Sequence, residues 1–150
     1  MEPQFRIAND TDVNTILPFM RQFYAIDQYP FDELIACTTL TDLVRDSSLG
    51  RVWLVSDGDE AIGYVVVTFG YSLEYRGRDA FIDELFIVDS YRGKGVGSKV
   101  MQFVLEACPD LDIQALHLEV ERDNGAGQAL YRKFGFEDHG RYLMTRWIVQ

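Results

Sequence analysis

The residues best suited to chemistry lie in one stretch, from Phe81 to Cys108. Asp83 and Glu84 sit inside Phe81-Ile-Asp-Glu-Leu-Phe-Ile-Val88, a run dense in β-branched and aromatic side chains that reads as a central strand. Neighbours on a strand point to opposite faces, so only one of the two carboxylates can face a given cleft unless a bulge reorients the pair. Unpaired charge in so apolar a run is costly, which argues against a merely solvated pair. Gly93, Gly95 and Gly97 follow at every second position and allow a tight turn with close backbone approach. Val96, Val100, Phe103, Val104, Ala107 and Cys108 then recur on one helical face until Pro109 stops the helix. Strand, glycine turn and helix N-terminus together make an anion site. The first-turn N–H groups lack internal partners, the helix dipole is positive there, and Arg92, Lys94 and Lys99 add charge. Phosphate is the natural guest. Gly93-Lys94 is followed by Gly95 rather than Ser or Thr, so this is no P-loop, and the even glycine spacing misses the dinucleotide pattern.

Arg92-Gly93-Lys94-Gly95-Val96-Gly97 resembles the Arg/Gln-x-x-Gly-x-Gly/Ala signature of the GCN5-related N-acetyltransferases. Asn124-Gly125-Ala126-Gly127-Gln128-Ala129-Leu130-Tyr131-Arg132-Lys133-Phe134-Gly135-Phe136 resembles that family's Asn-x-x-Ala/Gly-x-x-Leu-Tyr-x-x-x-Gly-Phe. The likeness covers Val52 to Phe136. It implies an acetyl-coenzyme A site whose pyrophosphate is held by backbone N–H groups of Arg92, Gly93, Lys94, Gly95, Val96, Gly97 and Ser98. By the same resemblance, the strand before the loop splays from a parallel neighbour. Backbone groups of Leu85, Phe86, Ile87 and Val88 then bond the pantetheine arm, and a free N–H near Phe86 or Ile87 faces the acetyl carbonyl. Asn124 matches the residue that bonds the coenzyme arm, and is also an ordinary helix cap.

Within this resemblance Tyr131 matches the tyrosine that points at the coenzyme sulfur, with Gly127 one turn earlier leaving room for close approach. A phenol of reference pKa about 10 can donate to a thiolate of about 8.5, assisting its departure. Related small-amine acetyltransferases carry Ile-Glu-Asp-Leu-aromatic-Val where this chain has Ile82-Asp83-Glu84-Leu85-Phe86-Ile87, with the acids swapped. Glu84 is read as the substrate-side carboxylate and Asp83 as its alternate. A lysine-like amine of pKa about 10.4 arrives protonated, so such a carboxylate could bind the cation and pass its proton through water. The first two helices and their loop form one wall of the acceptor cleft in the family. Here that loop holds Tyr24, Asp27, Tyr29 and Phe31, an aromatic rim with a carboxylate that could hold an ammonium group or simply pack the helices together.

The elements that must position these residues can be read in order. Gln4–Ala8 alternates as a first strand, Asn9 to Asp12 supply caps, and Val13, Ile16, Leu17, Met20 and Tyr24 mark a helix that Pro18 should kink. Gln28-Tyr29-Pro30 breaks the chain before a second helix from Asp32 to Asp46, marked by Phe31, Leu34, Ile35, Leu40, Leu43 and Val44. Arg51–Ser56 and Ala61–Tyr71 form a hairpin across Asp57-Gly58-Asp59-Glu60, and a polar turn leads into the Phe81 strand. Ala115–Glu121 follows a helix and so pairs parallel with that strand, and Arg141–Val149 reads as a last, apolar strand that would suit a homodimer. The fold expected is α/β (α+β): a mixed, mostly antiparallel central sheet with helices on both faces.

Composition sets the outer limits. At 150 residues, 47% hydrophobic, the chain suits a single domain, 1–150, with a proper core. A net charge of −10 without a basic stripe argues against nucleic acid and favours a cationic substrate, unless the acidity serves only solubility. No leader or long apolar run points to secretion or a membrane, and Cys37 and Cys108 read as buried thiols of a reducing cytoplasm. His117 and His139 are not at metal or triad spacing, so no metal is expected. The function implied is acetyl transfer from acetyl-coenzyme A to a primary amine by direct attack, the acceptor being a small amine, polyamine or amino-acid-like molecule. A protein N-terminus or lysine is the alternative acceptor, and a non-catalytic acyl-coenzyme A sensor is the alternative class.

Overall fold

Alternation in the first half of the chain builds a sheet with two different apolar faces, in a computed structural model that describes residues 1–149. Strands β1 (Gln4–Ile7), β2 (Gly50–Asp57), β3 (Glu60–Ser72), β4 (Gly77–Ile87) and β5 (Ala115–His117) lie in that order. The first three pairings are antiparallel, and β4 with β5 is parallel. Helices α1 (Val13–Ile26) and α2 (Glu33–Arg45) cover one face, where Val52, Leu54, Tyr64, Val66 and Phe86 meet Ile16, Leu17, Met20 and Leu40. Helix α3 (Val96–Ala107) covers the other, with the Phe103 ring stacked on Phe5 and edge-on to Trp53. The mixed, mostly antiparallel sheet with helices on both faces is thus the observed architecture.

Side-chain caps stand where the sequence places them, at the 3-10 turn Asp10–Asp12 that leads into α1 and at the start of α2. Asn9 accepts from the Thr11 N–H at 2.9 Å, and Asp12 accepts the Asn9 N–H while gripping Arg6 through two bonds of 2.8 and 2.9 Å. Asp32 caps α2 by accepting from the Ile35 N–H. Pro18 lies inside an uninterrupted α1, on an exposed position where the carbonyl it leaves unpaired can reach water. In α2 the buried positions are Ala36 and Leu40, whereas Leu34 and Ile35 are 82% and 65% exposed. Cys108 is buried, with its thiol on the Val104 carbonyl, but Cys37 is only partly so.

Two expectations are corrected. The parallel strand stops at His117 instead of Glu121, because β4 offers it partners only from Asp79 to Phe81. No strand forms over Arg141–Val149, whose residues are all exposed. Alternation tells which side chains would share a face, not whether a neighbouring strand is there to bond them. The apolar strand that would have suited a homodimer is therefore not formed. By contact density the chain divides into two units, Met1–Glu119 and a second beginning at Val120. The second holds α4 (Gly125–Lys133), and none of its described residues is buried.

Candidate functional site

One extra residue in β4 decides where the carboxylates go. Val66 pairs with Glu84 and Val67 with Ile82, so Asp83 is a bulge with no counterpart in β3. The insertion flips everything after it, and Glu84 joins the face covered by α1. There both carboxylate oxygens accept phenols. Tyr64 Oη donates to Oε1 at 2.7 Å, and Tyr24 Oη donates to Oε2. Desolvation raises the Glu84 carboxyl above its ordinary value, the two phenols partly offset this, and the nearby Asp83 charge adds to the rise. Burial first, and the Glu84 anion second, push both phenols well above the usual tyrosine range. Asp83 is exposed at its surface, yet enough protein surrounds its carboxyl for desolvation to raise it too.

Beyond the bulge no described strand pairs with the outer edge of β4. The last β4–β5 pair is Phe81 with His117. Val88 N–H is spent on the Ile62 carbonyl at 2.8 Å, so strand alternation turns the N–H and C=O groups of Leu85 and Ile87 outward and those of Phe86 towards β3. Of the two oxyanion donors expected, Ile87 is the one whose N–H points away from β3. Its carbonyl already accepts from Arg92 Nε at 2.9 Å.

The glycine loop follows after a short 3-10 turn, Asp89–Tyr91. Gly93 and Gly95 take φ of +73° and +81°, and a Cβ on either would meet nothing within 4 Å. Gly95 is the N-cap of α3, and it has no side chain with which to satisfy the first-turn donors of Val96, Gly97 and Ser98. Such a donor-lined helix N-terminus suits an anion in general. Its flanking charges are less free than the sequence suggests. Arg92 lies over the Phe86 ring and reaches Asp89, while Lys99 is committed to Glu2 and the Met1 carbonyl. Lys94 lies 5.6 Å over the Tyr91 ring.

The expected acceptor rim divides. Tyr24 and Phe31 meet edge-on at 5.4 Å, and Tyr24 reaches Glu84. The Phe31 face is taken by Arg21 at 4.9 Å, so it packs against a cation of its own chain. Asp27 caps the end of α1, and Tyr29 is 54% exposed. In the second unit, Asn124 caps α4 by accepting the Gly127 N–H at 2.9 Å. A Cβ on Gly127 would lie 2.5 Å from that Asn124 side chain, so the missing side chain makes room for the cap. Tyr131 sits edge-on to Phe136, and desolvation raises its phenol.

Sequence reasoning missed Tyr64 and Tyr91. A tyrosine inside an apolar strand must find a partner for its hydroxyl, which was the available signal for Tyr64. Tyr91 donates to Asp57 at 2.7 Å and contacts Glu60 at 3.2 Å, tying the loop to the tip of the β2–β3 hairpin. His117 pairs with Asp79 at 3.0 Å between the rings of Tyr75 and Phe81. Among the described residues no group of three His, Cys, Asp or Glu is arranged to hold a metal, and no helix is long and apolar enough to cross a membrane.

Comparison with known proteins finds the same architecture. A 33%-identical solved structure, an integron cassette protein from the mobile metagenome of Cole Harbour Salt Marsh, superposes with a TM-score of 0.86 over 98% of this chain and 91% of that one. The thialysine N-epsilon-acetyltransferase of Bos taurus is 32% identical over 54% of this chain and 47% of its own. The N-alpha-acetyltransferase 30 of Schizosaccharomyces pombe is 37% identical over 53% of each. The chain thus spans about half the length of the curated relatives it matches. The profile of the acetyltransferase (GNAT) family matches residues 16–136. That range takes in the bulged strand, the glycine loop and α4 alike, and the chain belongs to the acetyltransferase (GNAT) family.

Proposed function

We propose that this protein is an N-acetyltransferase that moves an acetyl group from acetyl-coenzyme A to the primary amine of a small, cationic molecule by direct attack. The observation that carries the reading is Glu84, a carboxylate held by two phenols on the α1 face of a strand that runs on into a glycine turn with positive φ at Gly93 and Gly95. Acetyl-coenzyme A supplies the acyl group as a thioester. The N–H groups of Gly93 to Ser98 hold its phosphates, with Arg92 shaping the turn through the Ile87 carbonyl. Leu85 and Ile87 present backbone groups to its arm, and the Ile87 N–H supports the carbonyl oxygen as negative charge develops there.

Glu84 attracts the acceptor's ammonium and takes its proton, directly or through one water, so that the free amine can attack. Its raised pKa makes it a stronger base than an ordinary carboxylate. Asp83, exposed beside it, adds negative charge at the entrance and is the alternate base. From the family resemblance, Tyr131 donates a hydrogen bond to the departing sulfur, and Asn124 belongs to the coenzyme side. The acidity of the whole chain, −10, favours a cationic acceptor. The relatives' names differ in the nitrogen they specify, N-epsilon and N-alpha, so peptide amines belong beside small amines in any test.

The test is a thiol-release assay with acetyl-coenzyme A over a panel of diamines, amino acids, aminoglycosides and N-terminal peptides. At least one small amine is expected to be acetylated. Glu84→Gln should lose turnover while keeping acetyl-coenzyme A affinity, with partial recovery at higher pH as more amine arrives deprotonated. Tyr131→Phe should slow single-turnover acetylation by about 10²–10⁴, the usual worth of general acid–base help. Coenzyme binding without turnover on any amine would leave an acyl-coenzyme A sensor in place of an enzyme.

A further inference from the structure

We infer that Tyr24 and Tyr64 are positioning residues that hold Glu84 as an oriented anion, and that Tyr24 ties that anion to the helix pair forming the acceptor wall. This rests on the reading of Glu84 as the acceptor-side carboxylate. The two phenols come from different elements, Tyr24 from α1 and Tyr64 from the middle of β3, and each takes a different carboxylate oxygen. The groups set against Glu84 are these two and Asp83 beside it on β4. Tyr64 is completely buried, with its ring against Phe86, so it is the fixed member. Tyr24 sits near the end of α1, edge-on to Phe23 and Phe31, so its hydroxyl carries the placement of the α1–α2 junction to Glu84.

The choice of phenols has a physical reason. Burial favours the neutral form of this carboxyl, which neither attracts an ammonium nor takes its proton. An arginine partner would keep it ionised but would cancel the charge that draws the amine. A phenol donates a hydrogen bond without bringing a charge, so two of them support the anion and leave its field intact. Each carboxylate oxygen still has a second lone pair for the acceptor's N–H. The clamp also fixes the rotamer, which a proton acceptor at one end of a bulged strand would otherwise be free to change.

Tyr64→Phe and Tyr24→Phe remove the hydroxyls and keep the rings, and Tyr24→Phe, at a half-buried position, is the safer of the two for folding. Carbon NMR of glutamate-labelled protein without acceptor reads the Glu84 titration directly, with Glu84→Gln giving the assignment. In both variants that titration should move to higher pH, further in the double variant. The acid limb of kcat/KM should follow it, with about a tenfold loss on that limb that closes as pH rises, the scale of one hydrogen bond to a charged group. Tyr24→Phe should also raise KM for the acceptor, whereas Tyr64→Phe should act mainly on kcat. A Glu84 titration that stays in place in both variants overturns the clamp. A titration that moves while the pH–rate profile does not upholds the clamp and removes Glu84 from the proposed proton transfer, so the two readings fail separately.

Discussion

Two carboxylates of this protein are pulled in opposite directions by their surroundings, and each follows from a few named contacts. Asp12 is buried, yet the Arg6 guanidinium and then the Asn9 N–H hold its carboxyl below the ordinary range against a desolvation that opposes them. A carboxyl depressed on folding contributes stability above its unfolded pKa, near 3.9, and loses it as pH falls through the folded value. Glu84, raised on folding, is least costly in acid and costs more as pH climbs through its folded value. Asp12→Asn should therefore cost about 1 kcal/mol at neutral pH, the scale of a lost helix cap, with the gap from wild type closing below about pH 4. Urea melts across that range measure it, and a gap independent of pH would mean that the charge of Asp12 contributes nothing. At this scale the sequence showed the acids but not their partners. Asp83 and Glu84 stood out as charges in an apolar run. Which tyrosines would meet Glu84 depended on contacts between residues as distant as Tyr24 and Glu84, which no local pattern encodes.

Among the elements, the β4 bulge and the glycine loop do the positioning, and they differ in how legible they were. The loop's turn could be read directly, because glycines at alternate positions before an apolar helical face allow a tight turn, and Gly93 and Gly95 take positive φ there. A bulge is a property of two strands together, so Asp83 could be identified as the extra residue only from the pairing of Val66 and Val67. The short β5 and the absent strand over Arg141–Val149 went unread for the same reason, since a strand needs a partner as well as a pattern. Tyr91 adds a further link between elements. Its hydroxyl is held by the Asp57 and Glu60 carboxylates, which push its pKa up to about 12, and this fastens the entry of the loop to the hairpin tip. Tyr91→Phe should weaken acetyl-coenzyme A binding by about three- to tenfold, the worth of one net hydrogen bond, without touching the phosphates themselves. Titration calorimetry beside Gly95→Asp, which should abolish binding, places the effect on scale. Equal affinity in Tyr91→Phe and wild type would show that the loop keeps its shape unaided.

Over the whole molecule, buried residues lie between Pro3 and Ile113, and none of the described residues from Val120 onward is buried. The sequence suggested one domain, 1–150, that takes in the second motif, Asn124 to Phe136. The family likeness and the Asn124 cap implied a helix there, and α4 does form, but neither reports how much surface the helix buries. Stability should be distributed accordingly. Amides of β2, β3 and β4 should exchange with solvent only through global unfolding, while those of α4 exchange faster through local opening. Acetyl-coenzyme A makes this informative about function, because a ligand protects the amides whose opening is incompatible with its binding. At about 100 times its Kd, a ligand stabilises the bound state by about 2.7 kcal/mol, about a hundredfold in exchange rate for such amides. Exchange should slow from Val96 to Ser98, where the phosphates are proposed to sit. If Asn124 and Tyr131 serve the coenzyme as their family likeness suggests, exchange should slow across Gly125 to Lys133 as well, and more with acetyl-coenzyme A than with ATP at equal saturation. Protection confined to the loop would take Tyr131 out of the reaction and leave Glu84 and water to move the protons.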